Sequence, residues 1–140
     1  VVNVEQFSLL DLRADWSCDW LELEPDLYEF LKPERVVDLE RWTFDRRRLE
    51  GWAAYLYRDF ILPALHPQAA CWLCIDAAPS RTGIYINDRW VTHYTNPGAD
   101  DPPFEWDITA CVSPGRNRIG FRVEADLSGR FQGVSVHWTV

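Results

Sequence analysis

Four cysteines, Cys18, Cys71, Cys74 and Cys111, are the residues of this 140-residue sequence best suited to ligate a metal or exchange electrons. Cys71 and Cys74 form a C-x-x-C inside Ala70-Cys71-Trp72-Leu73-Cys74-Ile75, an apolar run that reads as a buried strand. Strand residues three apart point to opposite faces, so these two thiolates do not grip one zinc. No second C-x-x-C exists, and no helix start follows Cys71 to activate a redox thiol. The four thiols are therefore expected to be free and to pack as small hydrophobes. His66, His93 and His137 are scattered, so no metal and no cofactor are predicted. Ser80, Ser113, Ser128 and Ser135 lack the strand-turn-helix setting of an activated nucleophile.

A second kind of chemistry is concentrated in residues 89–101, which hold Trp90, His93, Tyr94, Asn96, Asp100 and Asp101. A flat ring stacks on C–H faces, while planar polar side chains hydrogen-bond pairs of hydroxyls. Arg81, on the loop before the hairpin, is close enough in sequence to join them. Pro97-Gly98 and Pro102-Pro103 stiffen the segment, and long loops of this kind are often functional. Arg81, Trp90, His93, Tyr94, Asn96 and Asp100 are the expected ligand-binding set. The competing reading puts Trp90 in the core and makes the loop ordinary surface. It has weight, because eight Trp, five Tyr and seven Phe are more rings than one site uses, and aromatics favour buried strands.

The elements that must position these residues read as strands. Residues 55–62 form an aromatic-rich run ending at Pro63, and residues 71–77 an apolar run stopped at Pro79. Ile84-Tyr85-Ile86 and Arg89-Trp90-Val91 flank Asn87-Asp88, a two-residue hairpin turn whose members tolerate positive φ. Phe104, Trp106 and Ile108 alternate with Glu105 and Asp107; Ile119, Phe121 and Val123 alternate with Gly120, Arg122 and Glu124. Val134, Val136 and Trp138 repeat the pattern, and Pro114-Gly115-Arg116-Asn117 reads as a turn. Strands at this spacing predict an all-β antiparallel sandwich or jelly roll. Ahead of them, residues 14–23 predict a strand around Trp16 and Trp20, residues 25–31 a short helix, and Asp45 to Glu50, with Arg46, Arg47 and Arg48, a solvated connector. One domain over 1–140 is expected, with the strand and helix in 1–41 and the sandwich body in 42–140.

Charge and length exclude several classes. Fourteen Lys+Arg against 22 Asp+Glu give a net charge of −8, which leaves no basic surplus for a nucleic-acid backbone. No stretch approaches the roughly 18 apolar residues of a membrane span. The first residues carry Glu5, Asp11 and Asp15 and lack the basic start of a signal peptide, so a cytoplasmic location is expected if residue 1 is near the native start. A (β/α)₈ barrel needs about 250 residues, more than are present.

An ordered set of landmarks resembles the N-terminal sugar-binding domain of family 2 glycoside hydrolases, the β-galactosidase and β-glucuronidase group. It begins at Trp42 and Gly51-Trp52 and continues through Tyr55-Leu56-Tyr57-Arg58-Asp59-Phe60-Ile61-Leu62-Pro63. Trp72-Leu73-Cys74-Ile75 follows, then Gly83-Ile84-Tyr85-Ile86-Asn87-Asp88, where the family typically has Asn-Gly. Pro103-Phe104-Glu105-Trp106-Asp107-Ile108-Thr109 and Pro114-Gly115-Arg116-Asn117-Arg118-Ile119 come next, and residues 129–136 echo the closing strand, with Gln132 where Arg is usual. The resemblance covers about residues 42–136 and implies a galactose-binding-like jelly roll. Within it, Phe104, Trp106 and Ile108 are expected to plug the core, Asp107 or Thr109 to cap the next turn, and Arg58 to meet a buried carboxylate or a ring.

The family's catalytic glutamates sit on a separate barrel, so the resemblance implies a non-catalytic carbohydrate-binding module and not an enzyme. Glu105 and Asp107 share a strand face at about 7 Å, inside the ~5–9.5 Å range of paired glycosidase carboxylates, but such pairs are common on solvated faces. The family domain can hold a structural calcium, to which Asp100 and Asp101 could contribute, yet no ligand pattern supports one. Two alternatives stay open. One is a protein-interaction or assembly module, with a protein partner or a second copy seated on exposed Trp16, Trp20 and Trp42. The other is a fragment of a larger family 2 glycosidase.

Overall fold

The computed structural model describes residues 7–22, 33–98, 100–124 and 129–139. Ten strands form two antiparallel sheets: β1 (Phe7–Asp11), β2 (Ala14–Glu22), β3 (Glu34–Asp38), β4 (Trp52–Leu62), β5 (Cys71–Ile75), β6 (Thr82–Ile86), β7 (Arg89–His93), β8 (Phe104–Asp107), β9 (Gly115–Glu124) and β10 (Ser135–Thr139). One sheet has the order β1-β10-β5-β8, the other β3-β2-β4-β9-β6-β7. After β4 the chain passes repeatedly between the sheets, so its connectors run along the rims. The all-β antiparallel sandwich expected from the alternation is the architecture found. The expected helix at 25–31 lies outside the described residues. The 1–41 stretch supplies three strands, one to the four-stranded sheet and two to the six-stranded sheet.

Alternation sets the two faces. Along β2, Trp16, Cys18 and Trp20 face inward; along β9, Ile119, Phe121 and Val123 do; along β5, Cys71, Leu73 and Ile75 do. The rings on these faces meet in one continuous run. Trp16 stacks on Phe121 at 5.2 Å and Phe121 on Phe131 at 5.0 Å. Phe131 then meets Trp42 at 6.1 Å, Trp42 meets Trp20 at 6.2 Å, and Trp20 takes the edge of Phe44 at 5.0 Å. Trp16, Trp20 and Trp42 are all buried, so they do not form the exposed patch that the assembly reading needs.

Two expectations about arginine are corrected. Arg48 is not solvated: its guanidinium lies over the rings of Trp20 at 5.1 Å and Trp52 at 4.8 Å. Among the described residues Arg58 meets neither carboxylate nor ring. Its register with Ile119 turns it inward, where it donates to the backbone carbonyls of Ala14 and Asp59. The carboxylate and ring contacts belong to its outward neighbours: Arg116 and Arg118 both bond Asp59, and Arg118 covers Tyr57 at 4.9 Å.

Trp106 is a third correction. It pairs with buried Leu73 and so points to the inner side, but β8 is a sheet edge, where the inner side opens to the rim, and Trp106 is 42% exposed. Phe104 is half-buried beside it, and only Ile108 is fully buried. The turn after β8 is capped as expected: the Asp107 carboxylate accepts from the Thr109 N–H at 2.9 Å, and the Thr109 hydroxyl accepts from the Cys71 N–H at 2.9 Å.

Phe121 is fully buried between two stacked rings, so Phe121→Ala leaves a cavity that the sheets cannot close. The expected loss is about 3–5 kcal/mol in urea unfolding. A loss below about 1 kcal/mol would show that the ring run does not carry the core.

Candidate functional site

The site grows from the hairpin of β6 and β7. Asn87 and Asp88 turn the chain with φ of 51° and 64°, the left-handed values that a tight two-residue hairpin requires. Beyond the turn the register is irregular: Ile86 pairs with Arg89 and Tyr85 with Trp90, but Ile84 pairs with Thr92. Val91 is thus an extra residue, a β-bulge. Without it, Trp90 and His93, three apart, would face opposite sides. With it, both face outward from the six-stranded sheet, and their rings meet at 5.2 Å in a T-shape.

These two rings border an open cavity of about 310 Å³. Its other walls come from Ser80, Arg81 and Thr82 ahead of and at the start of β6, Gly83 and Tyr85 within it, and Arg122 and Glu124 on β9. The Glu124 N–H donates to the Arg81 carbonyl at 3.1 Å, which ties the loop before β6 to the end of β9. Thr82, buried, donates its hydroxyl to the Pro79 carbonyl at 2.7 Å and fixes the start of β6. Arg122 Nε is buried without a hydrogen-bond partner among the described residues. A buried guanidinium N–H left unbonded is costly. The cavity therefore offers a broad ring, two guanidiniums, one carboxylate and an imidazole.

The expected set of six divides. Arg81, Trp90 and His93 converge on this cavity, and Trp90 is 55% exposed. Tyr94 does not. It is the first residue of the crossing from β7 to β8, it is 4% exposed, and its ring packs on Phe104 at 5.4 Å to close the rim between the sheets. Asn96 and Asp100 are exposed beyond it and do not line the cavity. The Asp101 carboxylate is taken up locally, accepting from the Gly98 N–H at 2.9 Å. The cavity thus lies on a sheet face and not on the loop. Tyr85, Arg122 and Glu124 were missed because their strands read simply as alternating; their outward positions were visible, but the register that gathers them was not.

A separate cavity of about 370 Å³ lies on the outer side of the four-stranded sheet, with Asp11, Glu40, Asp76, Glu105, Ser135 and His137 among its lining. It holds no Phe, Tyr or Trp. Ser135 Oγ and His137 Nε2 are 2.9 Å apart, but β10 is paired on both sides, so its backbone N–H groups do not form an oxyanion hole. Asp107 is engaged with Thr109, whose hydrogen bonds hold its carboxyl below the usual range. Among the described residues no cluster of three or more His, Cys, Asp or Glu is placed to hold a metal ion, and no helix is long and apolar enough to cross a membrane. The described cysteines are free; Cys71 faces the core and Cys74 is half-buried on the other side.

Burial pushes the Cys71 thiol up to about 12 and the Cys74 thiol up to about 11. Both are protonated at neutral pH, so iodoacetamide should label them slowly in the native protein and readily in urea; fast native labelling would contradict the placement. Trp90→Ala should change stability by no more than about 0.5 kcal/mol, whereas Tyr94→Ala should cost about 3 kcal/mol, and equal costs in urea unfolding would contradict the division between face and rim.

No protein-family model and no curated protein sequence matches the chain. Solved structures do. A β-glucuronidase of an uncultured Clostridium sp. aligns with a TM-score of 0.66 at 17% identity, over 99% of this chain and 30% of that one. The FMN-binding β-glucuronidase of Facaelibacterium prausnitzii L2-6 aligns at 0.68 and 14%, over 96% and 23%. The Ruminococcus gnavus β-glucuronidase solved with N1-substituted uronic isofagomine aligns at 0.64 and 14%, over 99% and 31%. This chain thus spans less than a third of the enzymes it matches. The resemblance to a domain of family 2 glycoside hydrolases holds at the level of the fold: the chain has the two-sheet sandwich that forms one part of these β-glucuronidases.

Proposed function

We propose that the chain is a non-catalytic carbohydrate-binding module whose site is the cavity bordered by Trp90 and His93. The observation that carries this reading is the placement of Trp90. Eight of the rings are buried in the core, yet Trp90 stands more than half exposed beside a cavity with polar walls. An indole at the surface offers a flat apolar area for the C–H face of a pyranose. Around it, Arg81, Arg122 and His93 supply N–H donors and Glu124 an acceptor, the mixture that hydroxyl pairs require. The bulge at Val91 supports the same reading, since bulges often re-aim side chains at binding sites.

A second reading, a segment of a larger glycosidase, is favoured by the length of the matched enzymes relative to this chain. It is compatible with sugar binding on this face, and chemistry would then belong to another part of that protein.

The test is titration of a glycan panel followed by backbone and indole NMR shifts. The expected perturbations cluster at Arg81, Gly83, Tyr85, Trp90, His93 and Arg122, and Trp90→Ala weakens binding at least about tenfold, roughly 1.4 kcal/mol. Silence across the panel would overturn the proposal. So would perturbations centred on Asn96 and Asp100 that Trp90→Ala leaves unchanged.

A further inference from the structure

The cavity at Trp90 does not end at Tyr85. A second cavity of about 340 Å³ lies on the same sheet face, lined by Leu21, Tyr55, Tyr85, Asp88 and Arg122. Tyr85 and Arg122 belong to both, so the two cavities adjoin, and together they are treated as the two halves of a trough. Its direction follows from the register. His93 pairs with Gly83, Gly83 with Arg122, Arg122 with Tyr55, and Tyr55 with Asp19. The trough therefore runs across the strands from β7 to β2. Neighbouring strands lie about 4.8 Å apart, so four intervals give a length of about 19 Å.

Gly83 and Gly120 both face outward. Gly83 lines the proximal cavity and raises no side chain into it, whereas Gly120 leaves room for a ring. A Cβ there would collide with the hydroxyl and ring of Tyr55, which lies across β9 above it. Tyr55 in turn meets the Tyr85 ring edge-on at 5.9 Å and stacks on Tyr57 at 5.6 Å. The distal half thus has a ring laid along its floor, Asp88 at its margin, and Arg122, shared by both cavities, at the junction with the proximal half.

We infer that this trough takes an internal run of a linear oligosaccharide, at least two rings long, laid across the strands with Arg122 between adjacent units. The inference rests on the sugar-binding reading above and extends it from a single ring to a chain. A linear glycan presents apolar C–H faces and hydroxyl edges in a repeat close to the spacing between strands, which the trough matches with Trp90 in one half and Tyr55 in the other.

The experiment is calorimetric or NMR titration of the whole chain with gluco-, xylo- and manno-oligosaccharide ladders from monomer to hexamer. For the sugar that binds, affinity should rise at least about tenfold between monomer and trimer and then level off once the trough is filled. Tyr55→Ala should erase that gain while leaving monomer affinity unchanged. Leu21→Lys, at an exposed position of the distal half, should do the same if Tyr55→Ala fails to fold. Monomer and hexamer binding with equal affinity at Trp90 would overturn the chain inference and leave the sugar site standing. A gain with length that survives both distal variants would also overturn it. Absence of binding to every ladder would sink both readings.

Discussion

The molecule depends on the burial of large rings between two thin sheets. Trp16, Phe121, Phe131, Trp42, Trp20 and Phe44 form a continuous contact path, with centroid separations from 5.0 to 6.2 Å. Each such side chain removes roughly 150–250 Å² from water, several kcal/mol at ~25 cal/mol/Å². A chain of this length has only one core, and its conformational entropy cost is of similar size to the total gain. The ring path also joins segments far apart in sequence, from β2 through the turn after β3 to the approach to β10. That is why residues 14–22 and 33–44 cannot be regarded as an appendage of the sandwich: they supply four of the six rings.

This use of aromatics gives the exposed rings their meaning. Trp106 is exposed because β8 is an edge strand, and its stacking on Phe104 at 6.3 Å closes a rim. Trp90 also lies on an edge strand, β7, but it points away from the core. It sits on the outer face beside a cavity, and the inserted Val91 brings His93 to the same side. Tyr55 and Tyr85 lie on the same face, half-buried against each other and against backbone left bare by Gly120. The outer surface of the six-stranded sheet is thus shaped by rings, glycines and arginines together, whereas the outer surface of the four-stranded sheet gathers carboxylates.

The alternation of apolar and polar residues was enough to find most strands and the sandwich, because in a half-buried strand the period of two is the packing pattern itself. Asn87-Asp88 announced the hairpin for the same local reason. What failed was whatever depended on register or on a strand's place in its sheet. Val91 carries no mark in the sequence that makes it a bulge, so the shared face of Trp90 and His93 was a result of the fold and not of spacing. Tyr94 looked like a loop residue, yet the crossing between sheets turned it inward. Trp106 looked like core, yet its strand is an edge. Arg48 looked solvated because its neighbours Arg46 and Arg47 are, while two indoles from β2 and β4 waited above it.

The rings divide in two: one group holds the sheets together, and another, on the outer face of the six-stranded sheet, is proposed to meet a glycan. Hydroxyl-radical footprinting of the native chain, with and without a bound oligosaccharide, tests that division directly. The account predicts that Trp16, Trp20 and Trp42 stay unlabelled throughout, while Trp90 and Tyr55 are labelled in the free protein and protected by the sugar. Labelling of the first group in the native chain, or protection that appears elsewhere while Trp90 stays reactive, would contradict it.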